Sequence, residues 1–305
     1  MVVTLLSAVR RMALRSPTAL ALEAPRQQVA WCYGELDRRV RQLAGGLREL
    51  GVQRATVVVS DLPNVSENLL LQLAVSHLGA SFATAKDKQM LAAKVGEVHC
   101  AVVESSGSWL FEFAQAKALP SVLLNADGCC DKLGFYTFNE VASHTEDVED
   151  EAAFPDGLLA SYNGSAMSHA QAVGLGEAAA AALESTAADK TCVSITLCHA
   201  FGMGSGIGSA LIRGGAVVLP AADGIRGCGD PKQRAAVTVD VLRETRSTLL
   251  FADTHIIKQM PVGRSGTKGI SALRGGLVKV SSGTDIFNTG LTYGGVPLHS
   301  IGKSL

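Results

Sequence analysis

Three short stretches of this chain carry the residue types that could do chemistry. Tyr162-Asn163-Gly164-Ser165-Ala166-Met167 leads into Ser168-His169. Leu197-Cys198-His199-Ala200-Phe201-Gly202 opens a run with glycine at every second position, through Gly204, Gly206 and Gly208. Thr289-Gly290-Leu291-Thr292-Tyr293 lies close to Leu305. A glycine-bearing turn after a strand can offer backbone N–H groups to a phosphate. The alternating glycines, however, do not form GxGxxG and read better as the small-residue start of a helix. No GxSxG elbow accompanies either histidine, so His169 and His199 read as core or capping residues rather than as catalytic bases. The acids Glu146, Asp147, Glu149, Asp150, Glu151 and Asp156 lack the Gly turn and spacing of a calcium loop and read as a solvated connection. Asn64-Val65-Ser66 has the glycosylation pattern without a secretory signal before it.

Bulk properties narrow the field further. The 305 residues carry a formal net charge of -1, with no clustered basic excess of the kind nucleic acid selects, so no nucleic-acid contact is expected. Seven cysteines, an odd number without a CxxC pair, argue against a disulfide framework and against a zinc site. The mean hydropathy of +0.23 rests on Ala, Val and Leu, and aromatics make up only 5%, which calls for an aliphatic, small-residue core. Leu69 to Ala85 is the longest apolar candidate, yet Gln72, Ser76, His77 and Ser81 interrupt it, so no transmembrane helix is expected. The first 22 residues carry Arg10, Arg11 and Arg15 and no acid, which resembles a mitochondrial presequence more than a secretory signal, with an ordinary surface helix of the fold as the favoured reading.

The elements that must position the three stretches alternate along the chain. Leu36, Val40, Leu43, Leu47 and Leu50 recur three or four apart and predict a helix over Tyr33 to Leu50, closed by Gly51. Strands are expected at 56–60, 81–84, 100–103 and 121–124, with helices at 67–77, 89–96 and 109–117 between or beside them. Beyond the acidic stretch the same logic gives strands at 158–162, 191–197, 216–219, 248–251 and 275–280. The helices among these fall at 170–187, 203–213, 231–245 and 254–260. Such alternation implies an α/β fold with largely parallel sheets covered by helices, divided into two α/β subdomains at 1–150 and 151–305.

At this level of detail the chain resembles the adenylate-forming acyl-CoA synthetases. Trp31-Cys32-Tyr33-Gly34-Glu35-Leu36, Leu50-Gly51-Val52, Leu62-Pro63-Asn64 and Leu78-Gly79-Ala80 resemble the opening of that family in order and spacing. Leu197-Cys198-His199-Ala200-Phe201-Gly202, Arg213-Gly214-Gly215-Ala216-Val217-Val218-Leu219 and Leu273-Arg274-Gly275-Gly276 resemble its later segments. The resemblance implies the family's large N-terminal domain, with the β-barrel subdomain and the C-terminal domain absent.

The same resemblance implies that the chemistry is degenerate. The family holds pyrophosphate on a Thr-Ser-Gly-Thr-Thr-Gly-x-Pro-Lys-Gly loop before Ser-His. Anchored on Ser168-His169, this chain places Gly164 at the last family glycine and Asn163 at the lysine, with most of the loop gone. Thr292 keeps the family's Thr, but Tyr293 stands at the Glu and Thr289 at the adenine-stacking Tyr. Asn163, Gly164, Ser168, His169, His199 and Thr292 are therefore remnants of a binding region, with no catalytic set, metal site or cofactor implied. The expectation is a catalytically inactive relative serving as a structural or accessory subunit of a larger protein complex, mitochondrial or otherwise cytoplasmic. The alternatives are an acyl or acyl-CoA binding module and a residual ligase that needs a partner chain.

Overall fold

The computed structural model describes residues 4–84, 98–125, 134–144, 158–162, 165–198, 200–220, 229–261 and 269–303. Helix α1 (Leu5–Arg15) starts at a capping box, in which Thr4 and Ser7 satisfy each other's backbone N–H groups. It buries Leu5, Leu6, Ala8 and Val9. Its arginines are used by the fold: Arg10 Nη2 lies 2.5 Å from His77 Nδ1, and Arg11 donates to the Ile212 carbonyl at 2.6 Å. After β1 (Leu20–Ala24) and β2 (Val29–Cys32), helix α2 (Tyr33–Glu49) buries the expected stripe of Leu36, Val40, Leu43 and Leu47. Gly51, at φ 87°, takes the left-handed conformation that ends it.

Two sheets follow from the alternation. The first contains β3 (Val57–Ser60), β4 (Ser81–Thr84), β5 (Val98–Ser105), β6 (Ser121–Asn125), β7 (Phe135–Thr137), β8 (Leu158–Tyr162) and β9 (Ser165–Ser168). Its order is β7-β6-β5-β3-β4-β8-β9, parallel except for the β8–β9 hairpin. The second sheet runs β14-β17-β13-β12-β10-β11-β1-β2. It contains β10 (Lys190–Val193), β11 (Ala216–Val218), β12 (Leu249–Asp253), β13 (Gly275–Lys279), β14 (Asp285–Phe287) and β17 (His299–Gly302), with β1 and β2 at one edge. The strands from β17 to β1 are parallel, and antiparallel β14 and β2 close the two edges. Helices α4 (Trp109–Ala116), α5 (Phe138–Ala142), α6 (His169–Ala182), α7 (Gly208–Arg213), α8 (Pro231–Thr245) and α9 (Thr254–Gln259) complete the layers.

The α/β class with mostly parallel, helix-covered sheets is thus as expected, but sheet membership does not follow the boundary placed at residue 150. β1 and β2 cross into the second sheet, while β8 and β9 complete the first. The reason is packing. Helix α3 (Ser66–His77) is buried along nearly its whole length, and one apolar cluster joins it to residues of both sheets, from Val58 and Phe82 to Val193 and Phe251. The helix expected at 89–96 and most of the acidic stretch lie outside the described residues. So do Cys129, Cys130 and Cys228; Cys32, Cys100, Cys192 and Cys198 form no disulfide among the described residues.

Polar clusters pin both ends of the second sheet. At its lower end Asp189 precedes β10, Thr248 precedes β12 and Arg274 precedes β13. Arg274 gives Asp189 two hydrogen bonds, of 2.9 and 2.7 Å, and Thr248 adds one of 2.7 Å. Burial pushes the Asp189 carboxyl up, but these bonds and one from the Thr186 N–H outweigh it and bring the pKa down to about 2. At the upper end Arg234, from α8, pairs with Asp253 at 3.3 Å and donates to the Ser194 carbonyl at 3.1 Å.

Candidate functional site

In open α/β sheets, ligands sit beyond the carboxyl ends of the strands. The upper end of β13 and the loop after β10 meet the β8–β9 hairpin there. A cleft of about 300 Å³ opens between them, lined among others by Ser165, Met167, Cys198, Phe201, Lys279 and Thr284. The loop carrying Cys198 is docked onto the first sheet's side by Asn64, whose amide donates to the Ile195 carbonyl and whose Oδ1 accepts from the Leu197 N–H at 3.1 Å. Gln72 adds a bond to the Leu197 carbonyl at 3.0 Å. The Pro63-Asn64 turn is therefore a joint between the two halves.

The glycine run that follows is a π-helix over Ala200–Ile207 continued by α7, where an ordinary helix over 203–213 was expected. Wider helical turns of this kind often accompany functional sites. Its glycines are there for contact. A Cβ on Gly202 would stand 1.8 Å from the Thr196 carbonyl oxygen, and one on Gly208 would stand 3.2 Å from the Cα of Gly176 on α6. The alternating glycines thus let two helices and a loop approach each other closely.

The expected remnants disperse into structural roles or fall outside the described residues. Ser168 caps α6, accepting from the Gln171 N–H at 3.2 Å while Gln171 accepts from the Ser168 N–H at 2.8 Å. His169 is buried, its Nδ1 has no hydrogen-bond partner among the described residues, and burial lowers its pKa by disfavouring the charged ring. Asn163, Gly164 and His199 lie outside the described residues. Thr292 is exposed on β15 (Thr292–Tyr293), which pairs with β16 (Val296–Pro297). Tyr293 turns the other way into the core, with its hydroxyl 3.3 Å from the Pro261 carbonyl, and Thr289 bonds Ser300 at 2.7 Å. None of Ser168, His169 or Thr292 lines the cleft.

Lys279 does line it, and motif reading passed it over as the last residue of a buried strand. Its Nζ donates to the Gly283 carbonyl and lies 5.9 Å from the centroid of the Phe201 ring. Asp253, its register partner on β12, is committed to Arg234 and to the Ile256 N–H that opens α9. Among the described residues Lys279 has no carboxylate partner, and burial lowers its pKa. A lysine ending the apolar run Gly275-Gly276-Leu277-Val278 was the available signal, since a buried strand rarely spends a position on an ammonium.

Residues 9–129 match the AMP-binding enzyme family. The curated relatives include 4-coumarate–CoA ligase 3 of Oryza sativa subsp. japonica, 29% identical over 143 residues, which is 43% of this chain and 24% of that one. A second is 2,3-dihydroxybenzoate-AMP ligase of Bacillus subtilis (strain 168), 44% identical over 50 residues, 16% of this chain and 9% of that one. The matches therefore span a quarter or less of those relatives' length. Among solved structures, the anthranilate CoA ligase AuaEII in complex with anthranoyl-AMP superposes with a TM-score of 0.76 at 15% identity, covering 97% of this chain and 58% of that one. The N-terminal domain of FACL13 from Mycobacterium tuberculosis does so with a TM-score of 0.71 at 14% identity, covering 91% and 70%. Identities this low establish the fold. Residues 9–129 are thus similar to the AMP-binding enzyme family, and nearly the whole chain has the fold seen in the N-terminal domain of acyl-CoA ligases.

Proposed function

We propose that this chain is a non-catalytic relative of the acyl-CoA synthetases that serves as an accessory subunit of a larger protein assembly. The observation that supports this reading most is the β8–β9 hairpin. Tyr162 pairs directly with Ser165, so two residues separate the strands where the family places a long phosphate-holding loop. Two residues cannot supply the succession of N–H groups and the cation that a triphosphate needs. The inward-facing Tyr293 agrees with it, since a phenol packed in the core cannot do what a carboxylate does beside a metal-bound phosphate. A mitochondrial setting belongs to the proposal through the acid-free, arginine-bearing first 22 residues. Helix α1 would have to stay attached there, because its Leu5, Leu6 and Val9 belong to the main apolar cluster and removing them would expose the core they cover.

Pyrophosphate exchange with a panel of carboxylic acids tests the loss of activation. Exchange at the level of a heat-denatured control is expected, and ATP-dependent exchange well above it overturns the proposal. The native mass of the endogenous protein tests the subunit role. It should lie far above 31.7 kDa with other chains at fixed stoichiometry. A monodisperse monomer would instead favour the second reading, a small-molecule binding module, which the cleft at Phe201 and Lys279 supports.

A further inference from the structure

Helix α1 is tied to the two helices beneath it through one guanidinium. Arg10 Nε lies 3.6 Å from Asp37 Oδ1 on α2, and Arg10 Nη2 lies 2.5 Å from Nδ1 of His77, the last residue of α3. His77 is fully buried. A guanidinium offers only N–H donors and has no acceptor, so the polarity of the second bond is forced. Nδ1 accepts and carries no proton, and the ring in this contact is the neutral form. A protonated ring would have no lone pair to offer and would set a second cation against Arg10.

The groups around the ring do not relieve that conflict. On α2, Asp37 favours a charged ring, but it is shared between Arg10 and Arg41, whose Nε stands 3.4 Å from Oδ2. Arg54, in the loop after α2, runs its stem past Gly79, just beyond His77. The strands packed on α3, β4 and β8, contain no acidic, basic or histidine residue. The carboxyl end of α3 favours a cation as well, yet a helix terminus acts diffusely while the guanidinium is in direct contact.

We propose that the Arg10–His77 contact is an acid-sensitive latch on α1. With His77 neutral, the helix is held on α3. A proton on Nδ1 breaks the bond and frees α1, uncovering Leu5, Leu6, Ala8 and Val9. The inference goes beyond the accessory-subunit reading and does not depend on it. Arg11 also anchors α1, but its acceptor is the Ile212 carbonyl, which does not titrate, so the pH sense comes through Arg10. A detached histidine takes a proton near about pH 6.5, whereas the docked ring must lose its bond to do so. Docking is therefore fully present above that pH and is lost progressively as pH falls below it.

Hydrogen exchange of the full chain, read by peptide mass and corrected for the intrinsic pH dependence of exchange, tests this. Opening of α1 should rise about ten-fold per pH unit as pH falls from 6.5 to 5, while α8 keeps its protection. His77→Asn leaves an oxygen for Arg10 to bond and cannot titrate, so α1 should remain protected at pH 5. Arg10→Met keeps an apolar stem and removes the cation, so α1 should open more readily at pH 7.5 and lose most of its pH dependence. Equal protection of α1 at pH 7.5 and pH 5 in the wild type overturns the proposal. So does an undiminished pH dependence in His77→Asn or, should that variant not fold, in Arg10→Met.

Discussion

The two sheets solve the same layering problem differently. The first is held mainly by apolar burial: Val58, Val59, Phe82, Ala101 and Val102 sit in its strands, and α3 presses Leu69, Leu71 and Leu73 around them, while Asp61, just after β3, ties the Glu104 N–H of β5 and the Ser108 hydroxyl. The second has an equally apolar middle, with Leu249, Leu250, Phe251 and Leu277, but its strand ends are tied by charge. Asp189 gathers the starts of β10, β12 and β13, and Arg234 and Asp253 gather the tops of β10 and β12. At the lower end, away from the cleft, these directional bonds fix the register of the strand starts, and at the upper end Arg234 and Asp253 hold the strand tops. It follows that the first sheet should answer to cavities and the second to charge and pH.

The largest effect should come from Arg234→Ala. The guanidinium is 8% exposed in its side chain, and removing it leaves the half-buried Asp253 without its only cationic partner among the described residues. A loss of about 3–5 kcal/mol in urea unfolding is expected, with much of it recovered when Asp253→Asn is added. No recovery in the double variant would mean that Arg234 acts by packing, and the contrast between the sheets would weaken.

Leu71→Ala is the matching probe of the first sheet. Its side chain is fully buried, so about 2–5 kcal/mol should be lost. That loss should be the same at pH 7 and pH 4, because the Leu71 side chain is uncharged and packs in the apolar cluster. A pH-dependent penalty would show that the first sheet too leans on charge.

Asp189→Asn should cost about 2 kcal/mol at neutral pH and change the shape of the pH profile. The folded carboxyl titrates near 2 against 3.8 for the free group, so its contribution is present above 3.8 and is lost as pH falls toward 2. The wild type should therefore lose stability across that interval more steeply than the variant. Parallel profiles would remove Asp189 from the account.

The smallest expected effect sharpens the joint between the halves. Asn64→Ala deletes the amide that holds Ile195 and Leu197, for a loss of about 1–2 kcal/mol. Because the loop it holds leads to Cys198, that thiol should react faster with a maleimide in the variant. Unchanged reactivity would show the loop to be held by Gln72 and the π-helix without Asn64.

Much of this could be read from residue order. Periodicity placed α2 and α3, the strands at 57–60 and 275–279 and the helix at 231–245, since each buries its own apolar pattern whatever its neighbours are. The two-residue span between Tyr162 and Ser165 is likewise a property of chain length. The small strands β7, β9 and β14 to β17 were not legible, because they lack an apolar run such as Val57-Val58-Val59 and exist only by pairing with a formed sheet. Nor was the exchange of β1, β2, β8 and β9 between the halves, which depends on which edge each strand meets. The site moved for the same reason. Ser168, His169 and Thr292 were picked out by motif and became a cap, a core ring and an exposed hydroxyl. Lys279 carried no motif, and its surroundings were assembled from β8, β9, the π-helix and the turn after β13, segments more than a hundred residues apart. Local pattern determined which segments form and which face they bury; only the tertiary structure decided which polar atoms meet, because burial and electrostatic partners are properties of the packed whole.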